Sequence, residues 1–96
     1  MDEMTPLEKT IEEKVGLYAK SKGWLTYKFT SPARAAVPDR LYITPTGRMM
    51  FIEFKRLGKV PTPAQEREHH RLREQHVLVY VIDNIEDGKA IVDRHA

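Results

Sequence analysis

Two runs rich in β-favouring residues, Asp39 to Thr44 and Met49 to Lys55, flank Pro45-Thr46-Gly47-Arg48, whose Pro and Gly suit a tight turn. This strand-turn-strand pattern constrains the chain more than any other stretch. A hairpin turning about Thr46-Gly47 pairs residues whose numbers add to about 92 to 93. Asp39 then falls across from Glu53 or beside it. Alternation along Phe51-Ile52-Glu53-Phe54-Lys55 puts Phe51, Glu53 and Lys55 on one face and Ile52 and Phe54 on the other.

The flanking segments supply what covers such a hairpin. Leu7, Ile11, Val15, Tyr18 and Ala19 have the period of an amphipathic helix, opened by Thr5 as N-cap and Pro6, with Thr5 to Glu8 as a capping box, and ended by Gly23. Trp24 to Thr30 reads as a strand, and Ser31 to Pro38 as a loop. Leu57 to Pro61 is a second loop. Thr62-Pro63-Ala64-Gln65 is a second capping signature, predicting a helix from Pro63 to Gln75. Val77 to Ile82 fits a buried strand, and Ala90-Ile91-Val92 a short last element. The order α-β-β-β-α-β predicts an α/β fold in which helices flank a mixed sheet.

Ninety-six residues, 1–96, are expected to form a single domain, one small enough to gain from self-association. The absence of cysteine excludes disulfides, thiolate chemistry and Cys-ligated zinc. The longest apolar run is six residues, too short to cross a bilayer, and the acidic start Met1-Asp2-Glu3 predicts no signal peptide. A soluble protein of the cytoplasm or another DNA-containing intracellular compartment is expected, not a secreted one. The net charge of +2 is a cancellation. Residues 1–19 carry −3, residues 61–96 carry −2, and residues 20–60 carry +7 from nine Lys and Arg against only Asp39 and Glu53.

Two neighbouring carboxylates repel unless a cation lies between them, and hard oxygen ligands suit Mg²⁺ or Mn²⁺. Lys55, on the face of Glu53, can orient or activate a water, or stabilise charge developing on a phosphate. A cross-strand salt bridge between Lys55 and either acid is the competing reading. Glu8 and Glu12 flank the apolar stripe of the first helix, and either can look over the sheet edge, whereas Glu13 points to solvent. Each would equally serve the helix as a first-turn acid.

Taken together, the residues resemble a known family. Pro38-Asp39 followed by Glu53-Phe54-Lys55 is similar to the PD-(D/E)xK nuclease signature. The ordered set resembles its VRR-NUC branch: a Glu-bearing helix, Gly23, Tyr27-Lys28-Phe29, Val37-Pro38-Asp39-Arg40, Gly47, Ile52-Glu53-Phe54-Lys55, Gly58-Lys59, Thr62-Pro63-Ala64-Gln65 and a final apolar strand. It covers about residues 7 to 83. The resemblance implies a restriction-endonuclease-like core and metal-dependent phosphodiester cleavage, with homodimeric members similar to Holliday junction resolvases. On that basis Asp39, Glu53 and the Phe54 carbonyl are expected to hold Mg²⁺ or Mn²⁺. Glu12, ranked above Glu8 by its distance from Gly23, is expected to assist with a metal or its water, and Lys55 to assist the attacking water. The chain departs from the family's pattern before the last strand, where a Gly is usual and Gln75-His76 stands.

Gln65 reads as a capping partner, and the resemblance adds a role at the active-site edge. Lys28, Arg34, Arg40, Arg56 and Lys59 are candidate DNA-backbone contacts; nothing resembles a recognition helix. His69, His70, His76 and His95 lack the four-residue spacing of helical metal ligands and read as structural or surface residues. Trp24 and Tyr27 read as core. The expected activity is structure-selective cleavage of DNA, with branched DNA such as four-way junctions as the expected substrate, by a homodimer. The alternatives are a non-catalytic nucleic-acid-binding module of the same fold and a protein-interaction domain.

Overall fold

The structure is a computed structural model and describes residues 7–96. Its elements are α1 (Glu8–Ser21), β1 (Leu25–Lys28), β2 (Arg40–Ile43), β3 (Met49–Phe54), α2 (Pro63–Glu74), β4 (Leu78–Ile82) and α3 (Ile85–Arg94). They form one four-stranded sheet in the order β1-β2-β3-β4. The first three strands are antiparallel and β4 runs parallel to β3, as a helix-connected return requires. Among the described residues, no helix is long and apolar enough to cross a membrane.

The hairpin has the predicted register. Arg40 pairs with Ile52 and Ile43 with Met49, so every pair adds to 92 and the next pair outward is Asp39 with Glu53. Its turn is closed by Gly47 N–H donating to the Thr44 carbonyl at 2.9 Å and Thr44 N–H donating to that of Arg48 at 2.8 Å. Gly47, at φ +90, supplies the left-handed residue that the return needs. The buried Thr44 hydroxyl accepts the Arg48 N–H at 3.0 Å, satisfying a donor that the turn would strand.

Alternation along the strands gives the sheet two different faces. Tyr42, Met50, Ile52, Phe54 and Ile82 point to one of them and pack with Ile11, Val15 and Ala19 of α1, Ile91 and Val92 of α3, and Trp24. This is the core. The opposite face carries α2, which packs on the β4 side. Beyond its reach lie two cross-strand rows, Leu25–Ile43–Met49 and Tyr27–Leu41–Phe51, all uncharged. Tyr27 is 50% exposed and Met49 58%, so Tyr27, unlike the buried Trp24, is not a core residue. A strand at the sheet edge buries one face only, and Tyr27 sits on the other.

Several boundaries differ from those expected. The Thr5-Pro6 cap lies outside the described residues, and Leu7 occupies the N-cap position of α1 without a side-chain hydrogen bond. The short last element is a ten-residue helix, α3, whose N-cap Asn84 accepts the Asp87 N–H at 2.8 Å. At the end of α2, His76 takes the left-handed conformation, at φ +65, where a glycine costs less.

Helices α1 and α3 approach closely because Gly88 has no side chain. A Cβ there would stand 2.9 Å from Val15 Cγ1 and nearer still to Cγ2. Gly88→Ala is therefore expected to destabilise the fold by about 1–3 kcal/mol through overpacking, read as a lower urea midpoint. His76→Gly should raise that midpoint by about 1 kcal/mol's worth of stability, since only backbone strain is relieved.

Candidate active site

The carboxylates gather at one end of the sheet, where β2 begins, β3 ends and the N-terminus of α1 arrives. Asp39 is exposed, follows the buried Pro38, and is held by its carbonyl accepting the Phe29 N–H at 2.7 Å. Glu53 is opposite it in register and only 7% exposed. Lys55 follows β3 and is pinned to β4 by its N–H donating to the Ile82 carbonyl at 2.8 Å.

Electrostatics connect these groups. Burial pushes the Glu53 carboxyl from 4.5 up to about 7; Lys55 opposes this, while Asp39 and Glu8 add to it. Glu8 is raised for the same reasons, burial first, with Lys55 opposing and Asp39 and Glu12 adding. Glu8, Asp39, Glu53 and Lys55 therefore form one interacting set. Glu12 was the preferred helix carboxylate on sequence, but it lies one turn further along α1 and its carboxylate accepts a hydrogen bond from Arg40 Nε at 2.7 Å. Arg40, next to Asp39 in the chain, captures it. Glu12 still contributes to the field at Glu8.

A divalent cation fits the chemistry of this set. Glu53 and Glu8, whose proton affinities are raised by burial and by neighbouring carboxylates that include Asp39, gain from a positive charge among them. Among the described residues, no three His, Asp or Glu side chains are drawn close enough to enclose an ion by themselves. Mg²⁺ needs no such cage, because it keeps several waters and takes one or two carboxylates.

The remaining predicted residues are distributed differently. Gln65 forms a reciprocal capping box with Thr62: its Oε1 accepts the Thr62 N–H at 2.9 Å, and its N–H donates to Thr62 Oγ1 at 3.1 Å. Arg34 ties the Ser31–Pro38 loop to α2 by donating from Nε to Glu68 at 2.8 Å. Lys28 is exposed and pairs with Arg40 across the strands, at the same end of the sheet as Asp39. Lys59 is exposed and Arg56 half-buried, both in the loop after β3.

His69 was missed by the sequence reasoning as a neighbour of the carboxylates. It is 1% exposed, and its Nε2 lies 3.3 Å from Glu53 Oε1. Burial is the main cause holding its pKa below 6.5, with Arg73 and Lys55 next. The signal was the poverty of α2 in apolar residues, since a helix with only Ala64 and Leu72 that covers a sheet must bury polar side chains. Of the other histidines, His70 is exposed beside Glu74, and His95 meets the Tyr80 hydroxyl at 2.7 Å.

No family sequence model matches the chain. A curated protein named "Putative nuclease p44", from Acyrthosiphon pisum secondary endosymbiont phage 1, is 43% identical over 77 residues, covering 80% of this chain and 83% of that protein. A solved structure described as a VRR_NUC domain superposes with a TM-score of 0.84 at 27% identity, over 93% of this chain and 97% of its own. The chain belongs to the VRR-NUC family. The mixed sheet flanked by helices is the VRR-NUC fold, as the motif order implied.

The two buried acids should leave opposite marks on stability. Because the folded-state pKa of Glu53 is raised, ionising it disfavours folding. The metal-free VRR-NUC domain is thus expected to lose on the order of 2–3 kcal/mol as pH rises from about 4.5 to about 7. In EDTA, Glu53→Gln should remove that slope in urea titrations. Glu68 is lowered, chiefly by its hydrogen bond from Arg34. Its contribution is present above the usual carboxylate range and lost as pH falls below it, so Glu68→Gln should differ from wild type at pH 6 and converge with it in acid.

Proposed function

We propose that the protein is a metal-dependent endodeoxyribonuclease, working as one nuclease domain that hydrolyses phosphodiester bonds. The observation that carries this reading is the buried Glu53 carboxylate, driven toward protonation at the sheet end it shares with Asp39, Glu8 and Lys55. A carboxylate held at such cost in a family of nucleases is best explained by a cation that ionises it. Asp39, Glu53 and the Phe54 carbonyl would hold Mg²⁺ or Mn²⁺, with Glu8 nearer to them electrostatically than Glu12. A bound divalent ion supplies Lewis-acid polarisation of the phosphate and a more acidic water.

The chain's own residues do the rest. The Lys55 ammonium offers a positive charge beside Glu53, where it can stabilise negative charge building on the phosphate or orient a water. Lys28 and Lys59, both exposed, are suited to neutralise the DNA backbone. Arg34 and Arg40 are ion-paired to Glu68 and Glu12, so each must release a carboxylate before it grips a phosphate. Gln65 contributes to the site edge through the start of α2.

One domain carries one such site, so cutting two strands of a branched DNA such as a four-way junction calls for two copies. The uncharged rows Leu25–Ile43–Met49 and Tyr27–Leu41–Phe51 suit a second copy of the same chain, because a self-contact there sets no like charges against each other.

Purified protein is expected to cleave four-way, flap or linear DNA with Mg²⁺ or Mn²⁺ and not with EDTA, and Glu53→Ala and Lys55→Ala should lower the rate at least about 100-fold. Equal cleavage by wild type and Glu53→Ala would overturn the site; DNA binding without cleavage under any of these conditions would favour the non-catalytic module. Lys28→Ala and Lys59→Ala should each reduce the slope of log affinity against log salt by about 1. A Tyr27→Lys, Met49→Lys double variant should sediment as a monomer where the wild type sediments as a dimer.

A further inference from the structure

The imidazole of His69 is enclosed at 1% exposure against the sheet face that bears Glu53, with 3.3 Å between Nε2 and Glu53 Oε1. Burying a polar ring is costly unless it is hydrogen-bonded, and an apolar side chain of similar volume would cover the sheet at less expense. The placement is also firmly held. One turn before His69, Gln65 closes the capping box with Thr62; one turn after it, Arg73 donates to the Val79 carbonyl at 2.7 Å. Residues 65, 69 and 73 share one helix face, so the capping box sets the start of the helix before the ring and the Arg73 bond docks it to β4 beyond the ring.

From this arrangement we infer that His69 is a positioning residue for Glu53, holding one carboxylate oxygen so that the other faces a divalent cation. The inference rests on the reading of Glu53 as a metal ligand. An ionised carboxylate has no proton to give, so the contact then requires Nε2–H as the donor. The hydrogen bond limits the rotation of the carboxylate and makes it a better ligand, as outer partners of metal-binding groups do, with losses of about 10- to 100-fold in metal affinity when they are removed.

The test is Mn²⁺ binding to the full chain by titration calorimetry, with circular dichroism of each variant in EDTA to establish that it folds. His69→Phe keeps the bulk without the donor and is expected to weaken Mn²⁺ at least about tenfold, whereas His69→Gln keeps an N–H donor and should stay within about threefold of wild type. Glu53→Gln should abolish binding. If His69→Phe binds Mn²⁺ as wild type does while Glu53→Gln does not, the role of His69 is overturned and that of Glu53 stands. If Glu53→Gln binds as wild type, the ligand reading falls and this inference with it. A measurement without mutation guards against a variant that fails to fold: nitrogen-15 NMR of the Mg²⁺-saturated wild type should find the His69 proton on Nε2. A proton on Nδ1 alone overturns the inference.

Discussion

The pairing of β2 with β3 is the constraint on which the other features depend. With a side-chain period of two, a slip of one residue would turn Met50, Ile52 and Phe54 away from α1 and α3 and expose them. It would also part Asp39 from Glu53. The turn resists that slip through three coordinated features: a buried Thr44 whose hydroxyl accepts from Arg48 across the turn, a proline that presets the entry, and Gly47 in the left-handed region. Core packing and carboxylate pairing are thus set by the same few residues.

The charge distribution takes on a structural meaning once the chain is folded. The acidic first segment returns Glu12 to Arg40, and the acidic last segment returns Glu68 to Arg34, so part of the basic middle is balanced internally. These ion pairs are partly exposed and contribute modestly to stability. Their larger effect is positional, because one ties α1 to β2 and the other ties the loop before Pro38 to α2. Lys55 then carries positive charge beside the carboxylates, with Arg56 and Lys59 in the loop after β3 and Lys28 at the same end of the sheet as Asp39.

Much of this was legible in the sequence because local chemistry and tertiary structure agree. The hairpin register, the Thr62–Gln65 cap and the proximity of Lys55 to Glu53 follow from turn chemistry and alternation. What was not legible depended on contacts between distant segments. Glu8 and Glu12 occupy equivalent sides of the helix, and they are distinguished by the arrival of Arg40 at Glu12 and of the sheet end at Glu8. His69 reads from sequence as a structural or surface residue, because its helix is polar, and its burial against Glu53 follows from what the sheet presents to it. Tyr27 looked like core because aromatic residues usually are, but β1 is an edge strand whose second face lies beyond α2. α3 reads from sequence only as Ala90-Ile91-Val92 although Asn84 and Asp87 form a legible cap, because one apolar residue, Ile85, precedes its glycine and three, Ala90, Ile91 and Val92, follow it.

That glycine also bears on how such a sequence can drift. Gly88 and Val15 lie far apart in the chain yet share one small volume, into which the methyls of one residue project because the other has none. Enlarging position 88 is tolerable only after position 15 has shrunk, and that order leaves a void in the meantime. The two positions are therefore expected to change as a couple, and the helix pair they join can be remodelled only by passing through a less stable ancestor.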